Sequence, residues 1–396
     1  MNSCINIHAA ARKEDKIMNR FRVKTEVCFG SNAIDALLQY RDVNAVIVTD
    51  PFMASSGNAE LVAGKLCNCK KVSIFSEVKP DPPIELIATG LEFLLKEDAD
   101  IVVALGGGSS IDAAKGIVLM ARRANPEKKI RLIAIPTTSG TGSEVTKFAV
   151  ITDAEKGIKY PLVDEELLPN LAILEPSFVV SAPPAVTSDT GFDAITHAIE
   201  AYISTAANDV TDALAEKALK LAFEYLPQAY ADGQNITARE KMHTASCLAG
   251  MAFSEAGIGI NHSIAHQLGA KFHIPHGRAN AMLLPYVLEY NADIENNFGK
   301  EDTVAAKKLA SVAREIGLPA DTTRIGVQSL LDHLRYMLKM THTPASLAQC
   351  KVSKEEYEKN KEAMITAALN DVCTTTNPRK PSREDIADIL SNLAVW

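Results

Sequence analysis

The segment DIVVALGGGSSIDAAKGIVLMARRA, residues 100–124, changes character in its middle. DIVVALGGG (100–108) is a short β-branched apolar run that ends in glycines, the pattern of a strand buried on both faces. SIDAAKGIVLMARRA, from Ser110, spaces its apolar residues at helical intervals. A strand that turns through glycine into a helix is half of a βαβ unit, and the flanking sequence repeats the pattern. VNAVIVTD (43–50), KKVSIFSE (70–77), RLIAIPTTS (131–139) and NLAILEP (170–176) read as further strands, and IELIATGLEFLLKE, from Ile84, as a further helix. Apolar strands alternating with amphipathic helices predict a parallel sheet covered on both faces.

Beyond Pro183-Pro184 the texture is different. Residues 186–203, 208–231, 237–256, 260–272 and 277–291 keep helical periodicity, as do several segments after 302, and β-branched runs almost vanish. The spacing predicts an α/β domain over 19–184 and an all-α domain over 185–396. Residues 1–18 have few apolar positions and are expected to be a loosely held extension; Met18 is an alternative start.

Composition narrows the function. The chain has 396 residues, 47% of them hydrophobic, enough for two ordinary cores. A formal charge of −8 argues against a nucleic-acid partner, which would call for a basic face. No run approaches the roughly 18 apolar residues of a membrane span, and the N-terminus lacks the apolar centre of a secretory signal. Seven cysteines, with only Cys67 and Cys69 close together, make no disulfide framework, and a reducing cytoplasm is the simplest setting.

Two loops carry the first functional signal. In LGGGSSIDAAK, Gly106, Gly107 and Gly108 let backbone amides approach a phosphate, the helix N-terminus adds partial positive charge, and Ser109 and Ser110 add hydroxyls. The same glycines would also suit a tight βα turn, and the pattern is not G-x-G-x-x-G. PTTSGTGSE (136–144) follows the next strand and sets Thr137, Thr138, Ser139 and Thr141 around Gly140 and Gly142. Two such loops at neighbouring strand ends predict one nucleotide crevice. Asp50, which ends the strand AVIVTD, is a candidate acceptor for a ribose hydroxyl that would favour NAD over NADP; ahead of Pro51 it is equally a turn starter.

The second signal is histidine. Asp193 and His197 are four apart on a predicted helix, on one face. NHSIAHQLGAKFHIPHG (261–277) holds His262, His266, His273 and His276 among apolar neighbours. One carboxylate with several imidazoles suits Fe(II) or Zn(II) without choosing between them, and without saying which rings bind.

Taken together, GGGSSIDAAK, PTTSGTGSEVT, GFDAITHAIEAY and HQLGAKFHIPHG resemble the iron-containing (group III) alcohol dehydrogenases in order and spacing, over about Val23 to Asn291. GIKYPL with NHSIAHQLGAKFHIPHG looks nearest to the 1-propanol dehydrogenases of propanediol-utilisation microcompartments. The alcohol dehydrogenase half of bifunctional aldehyde–alcohol dehydrogenases is a near neighbour. The resemblance implies a dehydroquinate synthase-like fold and four metal ligands, Asp193, His197, His262 and His276. It implies His266 just outside them near the nicotinamide, with His273 structural or exposed. It assigns Asp50, Gly106, Gly107, Gly108, Ser109, Asp112, Thr137, Thr138, Thr141 and Lys159 to the cofactor, and Phe148 and Phe253 to the substrate pocket.

The function so implied is hydride transfer between NAD(H) and a small primary alcohol or aldehyde, with propanal and acetaldehyde the expected aldehydes. The metal, Fe2+ or alternatively Zn2+, acts as Lewis acid. The expected partners are the small substrate and further copies of the chain, as a homodimer or larger, and microcompartment shell or cargo proteins if the enzyme is encapsulated rather than free in the cytoplasm. Two other readings compete: a zinc polyol dehydrogenase of the glycerol type on the same fold, and a catalytically silent scaffold or cargo adaptor.

Overall fold

The computed structural model describes residues 21–153, 158–296 and 301–396. The expectations for residues 1–18 and for the Lys159 side chain lie outside the described residues. The first half runs β1 (Glu26–Phe29), β2 (Asn44–Thr49), α1 (Pro51–Ser55), α2 (Asn58–Lys65), β3 (Lys71–Phe75), α3 (Ile84–Lys96), β4 (Ile101–Gly106), α4 (Gly108–Ala124), β5 (Arg131–Pro136), β6 (Phe148–Asp153), β7 (Ile158–Val163) and β8 (Leu171–Leu174). Helices follow: α5 (Pro184–Ile203), α6 (Asp209–Ala231), α7 (Ile236–Ala256), α8 (Ile260–Phe272), α9 (His276–Ala292), α10 (Val304–Glu315), α11 (Thr323–Met340), α12 (Lys354–Asn370) and α13 (Arg383–Leu393).

Six strands form one parallel sheet in the order β1-β8-β5-β4-β2-β3. Both faces are buried, as the apolar runs require. Val46, Val48, Val102, Ala104, Leu132 and Ala134 pack under α3 and α4. The alternate residues Ala45, Ile47, Ile101, Val103 and Leu105 pack under α2 and the 3₁₀ turn Ala33–Gln39. From β2 the chain proceeds to one edge of the sheet; from β4 it proceeds the other way. The switch point lies between β2 and β4, with Asp50 at one strand end and the glycine loop at the other.

β1 and the antiparallel β6–β7 pair were not among the expected strands. β1 is four residues long with exposed ends, and β7 contains Pro161, so neither carries a buried-strand signature. Elsewhere the shifts are small: α4 starts at Gly108 rather than Ser110, and β5 stops at Pro136.

The helical half has two cores. One joins α5, α6, α7, α10 and α11, the other joins α8, α12 and α13, and α9 contributes a face to each. The two halves meet where Val145, Ala172 and Leu174 pack on Cys247 of α7. No helix among the described residues is long and apolar enough to cross a membrane.

Candidate metal and dinucleotide site

The two expected loops lie against each other. A β-carbon at Gly108 would come within 2.8 Å of the Thr141 methyl, so bare backbone is needed for the approach. Asp112 spans the gap: its carboxylate accepts from Ser143 Oγ at 2.7 Å and from the Val150 amide at 2.9 Å. One oxygen thus holds the second loop and the other holds β6 onto α4, a structural task in addition to the cofactor contact the resemblance implies. Ser139 Oγ meets Nδ1 of the buried His243 on α7 at 3.0 Å, which anchors the loop from behind. Both readings of Asp50 coexist. Oδ1 caps α1 by accepting from the Phe52 and Met53 amides at 2.9 and 3.0 Å. Oδ2 faces Ser110 Oγ across the switch point at 3.5 Å.

Beside the second loop, donor atoms of Asp193, His197, His262 and His276 all lie within 4.8 Å of one another. Asp193 Oδ1 is 3.5 Å from His276 Nε2 and 3.9 Å from His262 Nε2; Asp193 Oδ2 is 3.9 Å from His197 Nδ1. Three helices supply them, α5, α8 and α9. Gly277 permits the last approach, because a β-carbon there would lie 2.1 Å from the Asp189 carbonyl oxygen of α5. Arg278 then clamps the helices, donating from Nε and Nη2 to Asp189 at 3.2 and 3.0 Å. The cluster touches the cofactor loop directly, through His197 Nδ1 and the Gly140 carbonyl at 3.3 Å.

The donor set fits a divalent ion. The single NH2 of Asn280 stands 2.7 Å from Asp193 Oδ1, 3.1 Å from His262 Nε2 and 3.2 Å from His276 Nε2. Three acceptors thus converge around two amide hydrogens, a cluster of lone pairs of the kind a divalent ion takes. Burial pushes His197 below its ordinary value and His262 well below it, so both rings are neutral and available as ligands. Glu200 supports the cluster from outside. Its carboxyl accepts from the Asn261 amide at 2.7 Å and pairs with His262 Nδ1, which turns Nε2 toward Asp193.

The family model for iron-containing alcohol dehydrogenases matches residues 24–176, and that for the C-terminal region of the same family matches 187–394. The chain belongs to the iron-containing alcohol dehydrogenase family. As such it is an oxidoreductase. This dehydrogenase is 43% identical to the 1-propanol dehydrogenase PduQ of Citrobacter freundii, over 95% of this chain and 100% of that one. A crystal structure of a 1,3-propanediol oxidoreductase superposes with a TM-score of 0.85 at 34% identity, covering 95% of this chain and 100% of that one. Sulfoacetaldehyde reductase of Bifidobacterium kashiwanohense, solved with NAD+, superposes with a TM-score of 0.82 at 27% identity, covering 96% and 99%.

In the dehydrogenase the remaining candidates gather around the cluster. Phe253 stacks on His197 with ring centroids 4.3 Å apart, and Phe148 stacks on Phe253 at 6.3 Å, making an apolar column beside the donors. His266 lies next to His276, centroids 5.6 Å apart, and its Nδ1 meets Asp371 Oδ2 at 2.8 Å. His273 is exposed, with φ 54°, and terminates α8. Glu200, Asn280 and Asp371 were not anticipated. For two of them the sequence held a usable signal. Glu200 falls seven residues after Asp193, on the face of Asp193 and His197, and Asn280 falls four after His276.

Proposed function

We propose that this dehydrogenase interconverts small primary alcohols and aldehydes with NAD(H), propanal and 1-propanol being the favoured pair and acetaldehyde and ethanol a second. The observation that carries the reading is the convergence of one carboxylate and three imidazoles directly against the second loop, through His197 and Gly140. Asp193, His197, His262 and His276 hold the divalent ion, Fe2+ in this reading. When bound, the ion supplies a Lewis acid for the substrate oxygen, and the nicotinamide accepts or donates the hydride.

The chain's own part is positioning. Gly106, Gly107, Gly108 and Ser109 present amides and a hydroxyl at the start of α4 for the pyrophosphate. Thr137, Thr138 and Thr141 flank the cofactor from the second loop, which Asp112 holds in register. Asp50 Oδ2 accepts from the ribose. Phe148 and Phe253 wall the pocket and exclude water, which favours short uncharged substrates over polyols. With Nδ1 fixed by Asp371, His266 exchanges the substrate's proton with solvent at Nε2. Similarity to PduQ supports aldehyde reduction inside a bacterial microcompartment, with shell or cargo proteins as neighbours and a homo-oligomer as the working form.

Metal content of anaerobically purified protein, measured with NADH-dependent propanal reduction before and after air, tests this reading. The expected result is a single equivalent of iron per chain and activity lost in air and restored by Fe(II). Zinc with air-stable activity on glycerol moves the assignment to the polyol branch. Full activity with no metal overturns it.

A further inference from the structure

We propose that the dehydrogenase carries a second cation site, for a thiophilic divalent ion such as Zn2+ or Cd2+, formed by His266, Asp371 and Cys373. One donor atom from each residue lies within 4.8 Å of the other two. None of the three belongs to the first cluster. The sites are neighbours: the His266 ring lies 5.6 Å from that of His276 and 6.2 Å from that of His262, centroid to centroid.

The donors are held before any ion arrives. His266 comes from α8, while Asp371 and Cys373 come from the cap and body of the 3₁₀ turn Val372–Thr376. Ser263 Oγ of α8 and Thr374 Oγ1 of the turn lie 2.8 Å apart and dock the two pieces. Asp371 Oδ1 accepts from the Cys373 amide at 2.9 Å, which sets the turn, and Oδ2 faces His266 Nδ1 at 2.8 Å. An entering ion needs that last pair to part only slightly.

The chemistry selects the ion. Imidazole, carboxylate and thiolate together suit zinc and its softer relatives, whereas Mg2+ and Ca2+ demand oxygen. Three protein donors leave a fourth position for water. The site is half-buried and reached from solvent past His266, whose side chain is 37% exposed. In the ion-free protein burial and the nearby Asp371 carboxylate keep the Cys373 thiol protonated, so binding expels that proton to solvent. With three protein donors against four, and a thiol proton to shed, the second site is the weaker and fills after the first. Filling it also withdraws His266 from proton transfer and slows turnover. That consequence rests on the reaction proposed above; the site does not.

The test uses the full chain stripped of metal by a chelator. Cys4, Cys67 and Cys69 are first replaced by Ser, which removes the N-terminal thiol and the close C-N-C pair. Cd2+ is then titrated, with heat followed by calorimetry and thiolate ligation by the ultraviolet cadmium–sulfur charge-transfer band. The first cluster contains no sulfur, so the first equivalent should bind silently in the ultraviolet and the second should bring up the band. Cys373→Ala should abolish the band and the second equivalent while leaving the first within about twofold. Asp371→Asn should weaken the second step at least about tenfold. If Cys373→Ala does not fold, Cys373→Ser offers an oxygen in the same volume and should also lose the band. No band after two equivalents, or a band that survives removal of the Cys373 sulfur, overturns the proposal. Heat from the first equivalent reports the four-donor cluster separately, whether or not the enzyme reduces aldehydes.

Discussion

Glu200 is a carboxyl buried to 1% exposure whose only evident purpose is to hold other groups. Burial lifts it up to about 8, against the pull of the amides it accepts from. A cation on His262 Nε2 requires the imidazole proton on Nδ1, and its charge would also draw Glu200 into the ionised form that accepts that proton. Glu200→Gln retains the size and loses the charge. Metal affinity, read by competition with a chromophoric chelator, should fall about 10–100-fold; an unchanged affinity would reduce Glu200 to packing. Asp50 makes a second prediction at this scale. Asp50→Gly keeps an acceptable N-cap, at a cost of only a few tenths of a kcal/mol, and removes Oδ2 from the switch point. The ratio of kcat/KM for NAD over NADP should drop by about tenfold or more. A ratio that does not move would leave Asp50 as a helix cap alone.

At the scale of elements, the donor cluster depends on how closely α9 crosses α5. Gly277 and the Arg278–Asp189 pair set that distance. Gly277→Ala pushes a methyl into the Asp189 carbonyl, and α9 has to retreat with His276. The variant should lose about 1–3 kcal/mol of stability by denaturant unfolding and bind its metal more weakly at the same time. Loss of stability with undiminished affinity would separate the crossing from the site. Elements also explain what was legible beforehand. β2, β4, β5 and β8 are largely buried on both faces, so their sequences are mostly apolar and announce themselves. β1 and the β6–β7 pair are half-exposed and leave no such trace. The same logic applies to the site. Asp193 with His197, and the glycines opening α4, are local patterns that a linear reading detects. Glu200 meets its histidine 62 residues on and Asp371 meets His266 across 105, and only folding brings those pairs together.

At the scale of the whole molecule, Glu144 and Lys115 are buried ionisable groups near the seam between sheet and helices. Burial raises Glu144 from 4.5 to about 7 and lowers Lys115 from 10.5 to about 8. Between pH 4.5 and 7 the folded chain therefore binds more protons at Glu144 than the unfolded chain, and stability falls as pH rises. Between pH 8 and 10.5 the unfolded chain binds more at Lys115, and this contribution rises with pH. Together the two groups make the fold weakest just above neutrality. Glu144→Gln should leave the melting temperature nearly unchanged at pH 5 and raise it at pH 8, by up to about 3 kcal/mol in stability. Equal effects at both values would mean that Glu144 is not titrating in the fold.

The four-donor cluster is not closed evenly. Side chains of Asp193, His197 and His262 are 1–6% exposed, whereas that of His276 is 41% exposed. This asymmetry gives the ion a doorway. Asp193, His197 and His262 form a buried back wall, and His276 is the donor that faces solvent. In the proposed site it is the ligand that a chelator from solvent would meet first.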